Sequence, residues 1–256
     1  MTEIAALLED LEAEQRELRD VVAALTPDEW LTPTPAWGWD VRDTIAHLAD
    51  TDELAIGTAT GGDYALNGEA ARAASGEDVT YHGVLRGRRR SGAEVGEWWG
   101  RTSAAVRATL GALPADARIP WGIGMRTPSL ITARMMETWA HGLDCFAATG
   151  IEPVDTPRLR RIAGLALRAL PYAFEVAGKV APPDVRGVAL DLTGPDGERW
   201  WIGPERGRDI IAGSASEWCR VATRRVRPEA TSLQVTTPLA AEALKVARAY
   251  LADSTS

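Results

Sequence analysis

The chain has 256 residues, 45% of them hydrophobic and 25% charged, with 28 Lys+Arg against 36 Asp+Glu and a formal net charge of -8. That length buries a core without staples and allows one large domain or two ordinary ones. The acidic balance argues against a nucleic-acid partner, and two distant cysteines, Cys145 and Cys219, exclude a disulfide framework or a cysteine-built zinc site.

Near the amino terminus, Glu9, Asp10 and Glu12 stand where a targeting peptide needs basic residues. No apolar stretch approaches the ~20 residues of a membrane span, so the expected location is the reducing cytoplasm, with no membrane partner. Ile4, Leu7, Leu11, Leu18, Val22 and Leu25 recur at helical steps and predict a first amphipathic helix. Thr26-Pro27-Asp28-Glu29 stops it and opens a turn with capping-box chemistry. Leu31 to Pro35 carries two prolines and predicts an extended loop. Asp40 is placed to cap a second helix, from Val41 to about Ile56. Residues 57–92, rich in Gly, Asp and Arg, predict a long excursion with short helical pieces. A third helix is expected from about Ala93 to Leu113, ended by Gly111 and Pro114. Thr127-Pro128 opens a fourth that reaches about Thr149, with Gly150 as its terminator. Four long helices in about 150 residues argue for a helical bundle.

The pattern changes after Pro153. Arg158 to Val180 predicts one more helix, broken by Ala181-Pro182-Pro183. Gly187–Leu192 and Glu198–Ile202 flank Gly194-Pro195-Asp196-Gly197 as the two arms of a β-hairpin. A helix over Ser214–Thr223, a strand over Leu233–Thr237 and a final helix over Leu239–Leu251 follow. The expected fold class is α+β: a four-helix bundle over residues 1–152, then a small α+β domain over 153–256.

Glu137 and His141 lie four residues apart on the fourth helix. Their side chains therefore stack on one face a turn apart, at a rise that a single divalent cation bridges. The same spacing also makes ordinary exposed pairs worth a few tenths of a kcal/mol. His47, on the flank of the second helix, is either a hydrogen-bonded boundary residue or a third ligand. The segment leading into it is distinctive: Thr34-Pro35-Ala36-Trp37-Gly38-Trp39-Asp40-Val41-Arg42-Asp43-Thr44-Ile45-Ala46-His47-Leu48. Through it the chain resembles the DinB-like bundles, specifically the mycothiol-dependent maleylpyruvate isomerase superfamily. In that family a Gly-Trp-x-Val-x-Asp-x-x-x-His-Leu segment supplies one histidine and a later helix supplies Glu-x-x-x-His. Both motifs are present, as Gly38 through Leu48 and as Glu137 with His141. The resemblance covers the bundle and extends, more loosely, to a small sterol-carrier-like carboxy-terminal domain. It implies a metal site made by His47, Glu137 and His141.

Three protein ligands leave a position open on a four- or five-coordinate ion, the mark of a catalytic site. Two imidazoles and a carboxylate suit Zn²⁺ and also Fe²⁺ or Ni²⁺. An open position lowers the pKa of a bound water or deprotonates a bound thiol. The resemblance implies the second use, with mycothiol or another low-molecular-weight thiol as cosubstrate. It thus implies a metal- and thiol-dependent isomerase or S-transferase acting on a small electrophilic metabolite, as a monomer or homodimer. A thiol-independent metal-dependent hydrolase and a non-catalytic metal- or ligand-binding protein are the two alternatives.

Other residues carry two readings each. Cys145, one turn beyond His141, is an extra ligand or a core side chain. The basic run from Tyr81-His82 to Arg88-Arg89-Arg90 leads to Trp98-Trp99. In the functional reading Arg90 holds a substrate carboxylate or phosphate, Trp99 walls the pocket and His82 is an acid or base. In the plain one, the arginines pair with surplus acids and the tryptophans are core. Beyond the bundle, the resemblance implies an arginine near the thiol site, for which Arg225 is the nearest match; a basic helix end facing its own dipole is the alternative.

Overall fold

A computed structural model describes residues 2–66 and 76–249. The chain divides into two compact units, one built on residues 1–153 and the other starting at Val154.

In the first unit, α1 (Glu3–Ala23) is capped by the Thr2 hydroxyl, and its Leu7, Leu11, Leu18 and Val22 stripe is buried. Thr26 and Glu29 then form the predicted cap, the Glu29 carboxylate accepting from the Thr26 N–H and hydroxyl at 2.7 Å. The following loop closes through a bridge between Pro33 and Asp40. Asp40 caps α2 (Val41–Thr60) by accepting from the Asp43 N–H at 2.7 Å. This helix runs a turn past its predicted end and stops at Gly61, whose φ of 71° only glycine adopts freely.

The predicted excursion holds a well-formed helix, α3 (Gly76–Gly87), while residues 67–75 of it lie outside the described residues. Ser91 and Glu94 form a second capping box at the start of α4 (Gly92–Gly111). Between α4 and the next helix, β1 (Arg118–Ile119) pairs with β2 (Met125–Arg126), a ribbon absent from the predicted elements. Two-residue strands are too short to show alternation. α5 (Thr127–Thr149) begins and ends where predicted, at Thr127-Pro128 and at Gly150 with φ 70°. Helices α1, α2, α4 and α5 pack as a bundle, whose core includes Leu18, Val41, Ile45, Leu48, Val95 and Trp99.

In the second unit, two helices replace the one predicted over 158–180: α6 (Leu159–Arg168) and α7 (Leu170–Val176). Pro171 is the cause, because its nitrogen has no hydrogen to give Leu167 and its ring clashes with that carbonyl. β3 (Ala189–Thr193) and β4 (Arg199–Ile202) form the predicted hairpin, with Leu192 opposite Trp200. β5 (Ile210–Ser214) lies parallel to β3 and is absent from the sequence reading, its Ile-Ile-Ala-Gly-Ser run showing no apolar–polar alternation. β6 (Gln234–Val235), shorter than predicted, completes the order β4-β3-β5-β6. α8 (Ala215–Ala222) and α9 (Pro238–Val246) stand where helices are predicted, though α9 is shorter and residues 250–251 of its predicted span lie outside the described residues. Among the described residues no helix is long and apolar enough to cross a membrane.

Candidate metal centre

α2 and α5 run antiparallel. Arg134 of α5 meets Thr51 and Asp52, whereas Glu137 and His141, further along, meet His47. Register is held by a buried ion pair: Arg134 Nε donates to Asp52 Oδ1 at 2.9 Å, with both side chains only 2% exposed. Arg134 Nη2 donates to the Thr51 hydroxyl at 2.9 Å, which itself donates to the His47 carbonyl at 2.8 Å.

This pairing brings three predicted ligands together. His47 Nε2 lies 3.8 Å and His141 Nε2 3.4 Å from the same oxygen, Glu137 Oε2. Their ligand atoms all lie within 4.8 Å of one another, the one such group of His, Cys, Asp and Glu among the described residues.

The two imidazoles are oriented by different means. Asp144 Oδ2 is 3.2 Å from His141 Nδ1. An ionised carboxylate only accepts, so Nδ1 carries the hydrogen and the ring turns its Nε2 towards Glu137. His47 Nδ1 is buried without a hydrogen-bond partner among the described residues. That ring packs against Trp39 instead, with centroids 5.1 Å apart and planes tilted by 47°, and the same indole stacks on His141 at 6.0 Å and 24° from parallel.

Protonation follows from the surroundings. Burial holds His47 below the ordinary imidazole value of 6.5, which favours the neutral form. Burial acts to raise Glu137, but the contacts with His141 and His47 outweigh it and hold the carboxyl well below the ordinary carboxylate range. A neutral His47 and an ionised Glu137 are the states a divalent cation requires of them, so the donor set fits one.

The other predicted site residues fall elsewhere. Cys145 is fully buried in the hydrophobic core and is not part of the triad group. Trp99 is likewise fully buried and belongs to the hydrophobic core cluster of the bundle. Arg90 lies over the Trp98 ring at 4.9 Å and donates to the Arg86 carbonyl at 2.5 Å. His82 Nδ1 is 2.8 Å from the Tyr64 hydroxyl. Arg225 belongs to the second unit, where it donates to the Thr223 carbonyl at 2.7 Å. Sequence reasoning missed the parts of Asp144 and Trp39. A carboxylate three residues past a helical ligand shares its face, so Asp144 had a signal; Trp39 stands inside the recognised motif, but its stacking is a tertiary fact.

These features define an α+β protein whose helical bundle holds a largely buried two-histidine, one-carboxylate group. Residues 11–146 match the family model of the mycothiol maleylpyruvate isomerase N-terminal domain, and the chain belongs to that family. It is 36% identical over 228 residues to two proteins of Mycobacterium tuberculosis, from strains CDC 1551 and H37Rv, both named only as uncharacterized. Those alignments cover 88% of this chain and 87% of each relative. The fold is similar to crystal structures of the mycothiol-dependent maleylpyruvate isomerase and of a histidine-to-alanine mutant of it. For both, the TM-score is 0.59 at 16% identity, with 87% of this chain and 90% of theirs covered.

Proposed function

We propose that the protein is an enzyme that holds a divalent cation, Zn²⁺ before Fe²⁺ or Ni²⁺, through His47, Glu137 and His141. With mycothiol or a similar small thiol it isomerises a small electrophilic metabolite or transfers the thiol to it. The observation that carries the reading is the convergence of three ligand atoms within 4.8 Å, in surroundings that favour a neutral His47 and an ionised Glu137. The thiol is supported by the family, which is named for a mycothiol maleylpyruvate isomerase.

A cation at this position supplies Lewis acidity that favours the thiolate form of a bound thiol. The chain's own residues do the rest. Asp144 keeps His141 Nε2 facing inward, and Trp39 shields one side of both imidazoles from water. The Arg134–Asp52 pair fixes the helix that carries His47 against the helix that carries the other two ligands. Both cysteines are buried, and burial pushes the Cys219 thiol above its ordinary range, so a borrowed sulfur is better suited than either as nucleophile.

The test is to load purified protein with Zn²⁺, Co²⁺, Fe²⁺ or Ni²⁺, measure bound metal, and assay maleylpyruvate with and without mycothiol. One bound ion, lost in His141→Ala, and turnover that requires the thiol are the expected results. Failure to bind any of these ions sinks the whole reading. Loaded protein that neither binds mycothiol nor turns over in its presence sinks the thiol part.

A further inference from the structure

The arginines of the basic run are sorted by two glycines. Gly83 and Gly87 bring α3 so close to α2 that a Cβ at Gly87 would stand 2.3 Å from the Ala46 Cβ. This contact sets Arg88, the first residue past α3, beside the first turn of α2. Arg88 Nη2 donates to Asp43 Oδ2 at 2.7 Å, and Nε reaches both Asp43 oxygens at 3.2 and 3.1 Å. Nη2 also donates to the Gly38 carbonyl at 3.0 Å, and Nη1 to the Tyr81 hydroxyl at 3.0 Å. Asp43 is 1% exposed and Arg88 38%, so the charge-assisted bonds join a buried carboxylate to a guanidinium at the surface.

Both anchors flank Trp39. Gly38, at φ 75°, makes the turn into it; the Trp39 N–H donates to the Ala36 carbonyl at 3.1 Å, and its carbonyl accepts from Thr34 at 2.9 Å. Trp37, on the other side of that turn, is 83% exposed and adds little packing. A planar guanidinium spans a carbonyl and a carboxylate at fixed separation, which a lysine ammonium cannot do.

We infer that Arg88 is a positioning residue for the candidate centre: by clamping the Gly38 carbonyl to Asp43 it holds the Trp39 indole on the imidazoles of His47 and His141. Its effect on cation affinity rests on the metal-centre reading; its effect on ring geometry does not.

The chain has three histidines, so ring-labelled histidine gives three assignable sets of NMR signals in the metal-free protein. Stacking on Trp39 shifts those of His47 and His141 by ring current, and W39A supplies the unstacked reference. R88A and R88K are expected to move these two towards the W39A positions while His82, on α3 itself, stays in place. The Co²⁺ dissociation constant should rise about 10-fold in R88A, the lower end of what losing an outer-sphere partner does. R88A/W39A should bind Co²⁺ no more weakly than W39A alone. R88K keeps charge and bulk and carries the test should R88A not fold. Wild-type His47 and His141 signals in R88K, additive losses in the double variant, or a shift of all three histidines together overturn the proposal. If the wild type binds no Co²⁺ while R88K still moves the two imidazoles, the metal-centre reading fails and the positioning role stands.

Discussion

Around His47, two imidazoles and a carboxylate converge while the Arg134 guanidinium is bound to Asp52 instead. Around Asp50, less than a turn along the same helix, an arginine, a phenol and an imidazole converge on the carboxylate. Arg86 Nη1 donates to Asp50 Oδ1 at 2.5 Å and to Glu53 Oε2 at 2.7 Å, and its guanidinium lies 4.5 Å from the Trp98 ring. Tyr64 donates to Asp50 at 2.8 Å, and having one hydrogen it must accept from His82 Nδ1 at 2.8 Å. Burial and the neighbouring Asp50 carboxylate raise the Tyr64 phenol above its ordinary range, which keeps it a donor. The two clusters use similar residue types. The difference is that one is built around a cation from the chain itself, and the other around three groups that could ligate one.

The largest expected effect separates them by metal. Glu137→Gln should weaken Co²⁺ binding by more than about 100-fold, beyond what losing an outer partner does, while Asp50→Asn leaves it within about 2-fold. Isothermal titration reads both, and equal losses would merge the clusters into one site. Stability separates them the other way. Arg86→Met leaves Asp50, which is 2% exposed, without its cation and should destabilise by about 3 kcal/mol in urea unfolding. A drop under about 1 kcal/mol would show that the Arg86 pairing is a surface contact. Smaller again is Asp144→Ala, expected to weaken Co²⁺ binding about 10-fold or somewhat more with little change in stability, since it frees the His141 ring without removing a ligand.

Sequence legibility follows the same division. Glu137 and His141 can be read from helical spacing, the start of α2 from the Asp40 cap, and His47 from the motif that follows that cap. These are local signals, each contained within one turn or one short segment. The pairing of arginines with acids is not local. Arg86, Arg88 and Arg90 look alike in the run, yet one takes Asp50 and Glu53, one takes Asp43 and the Gly38 carbonyl, and one lies over Trp98. That sorting depends on the close approach of α3 to α2 at Gly83 and Gly87, a contact between segments some forty residues apart. β5 escaped notice for a related reason: its main neighbour, β3, is reached by a parallel connection rather than a hairpin. Pro171 is different, since its helix-breaking signal was local but lay within the strong apolar period of 158–180.

The smallest expected effect is on the pH dependence of the metal-free chain. His47 lies below 6.5 in the folded state because burial disfavours the imidazolium. A folded chain that binds fewer protons than the unfolded one gains stability as pH rises. This contribution is therefore fully present above 6.5 and is lost as pH falls from there through the lowered value. Glu137, also lowered, behaves the same way starting from 4.5. Urea unfolding between about pH 7 and pH 5 should show wild-type stability declining, and His47→Gln should flatten that decline. With Co²⁺ present the decline should steepen, because protons and cation compete for the same nitrogen. No such competition exists at Asp50: although burial works against it, the Glu53 and Asp50 carboxylates hold Arg86 above the ordinary guanidinium range, so its charge persists throughout. A decline that survives His47→Gln unchanged would place the titrating group elsewhere and remove the electrostatic contrast between the two clusters.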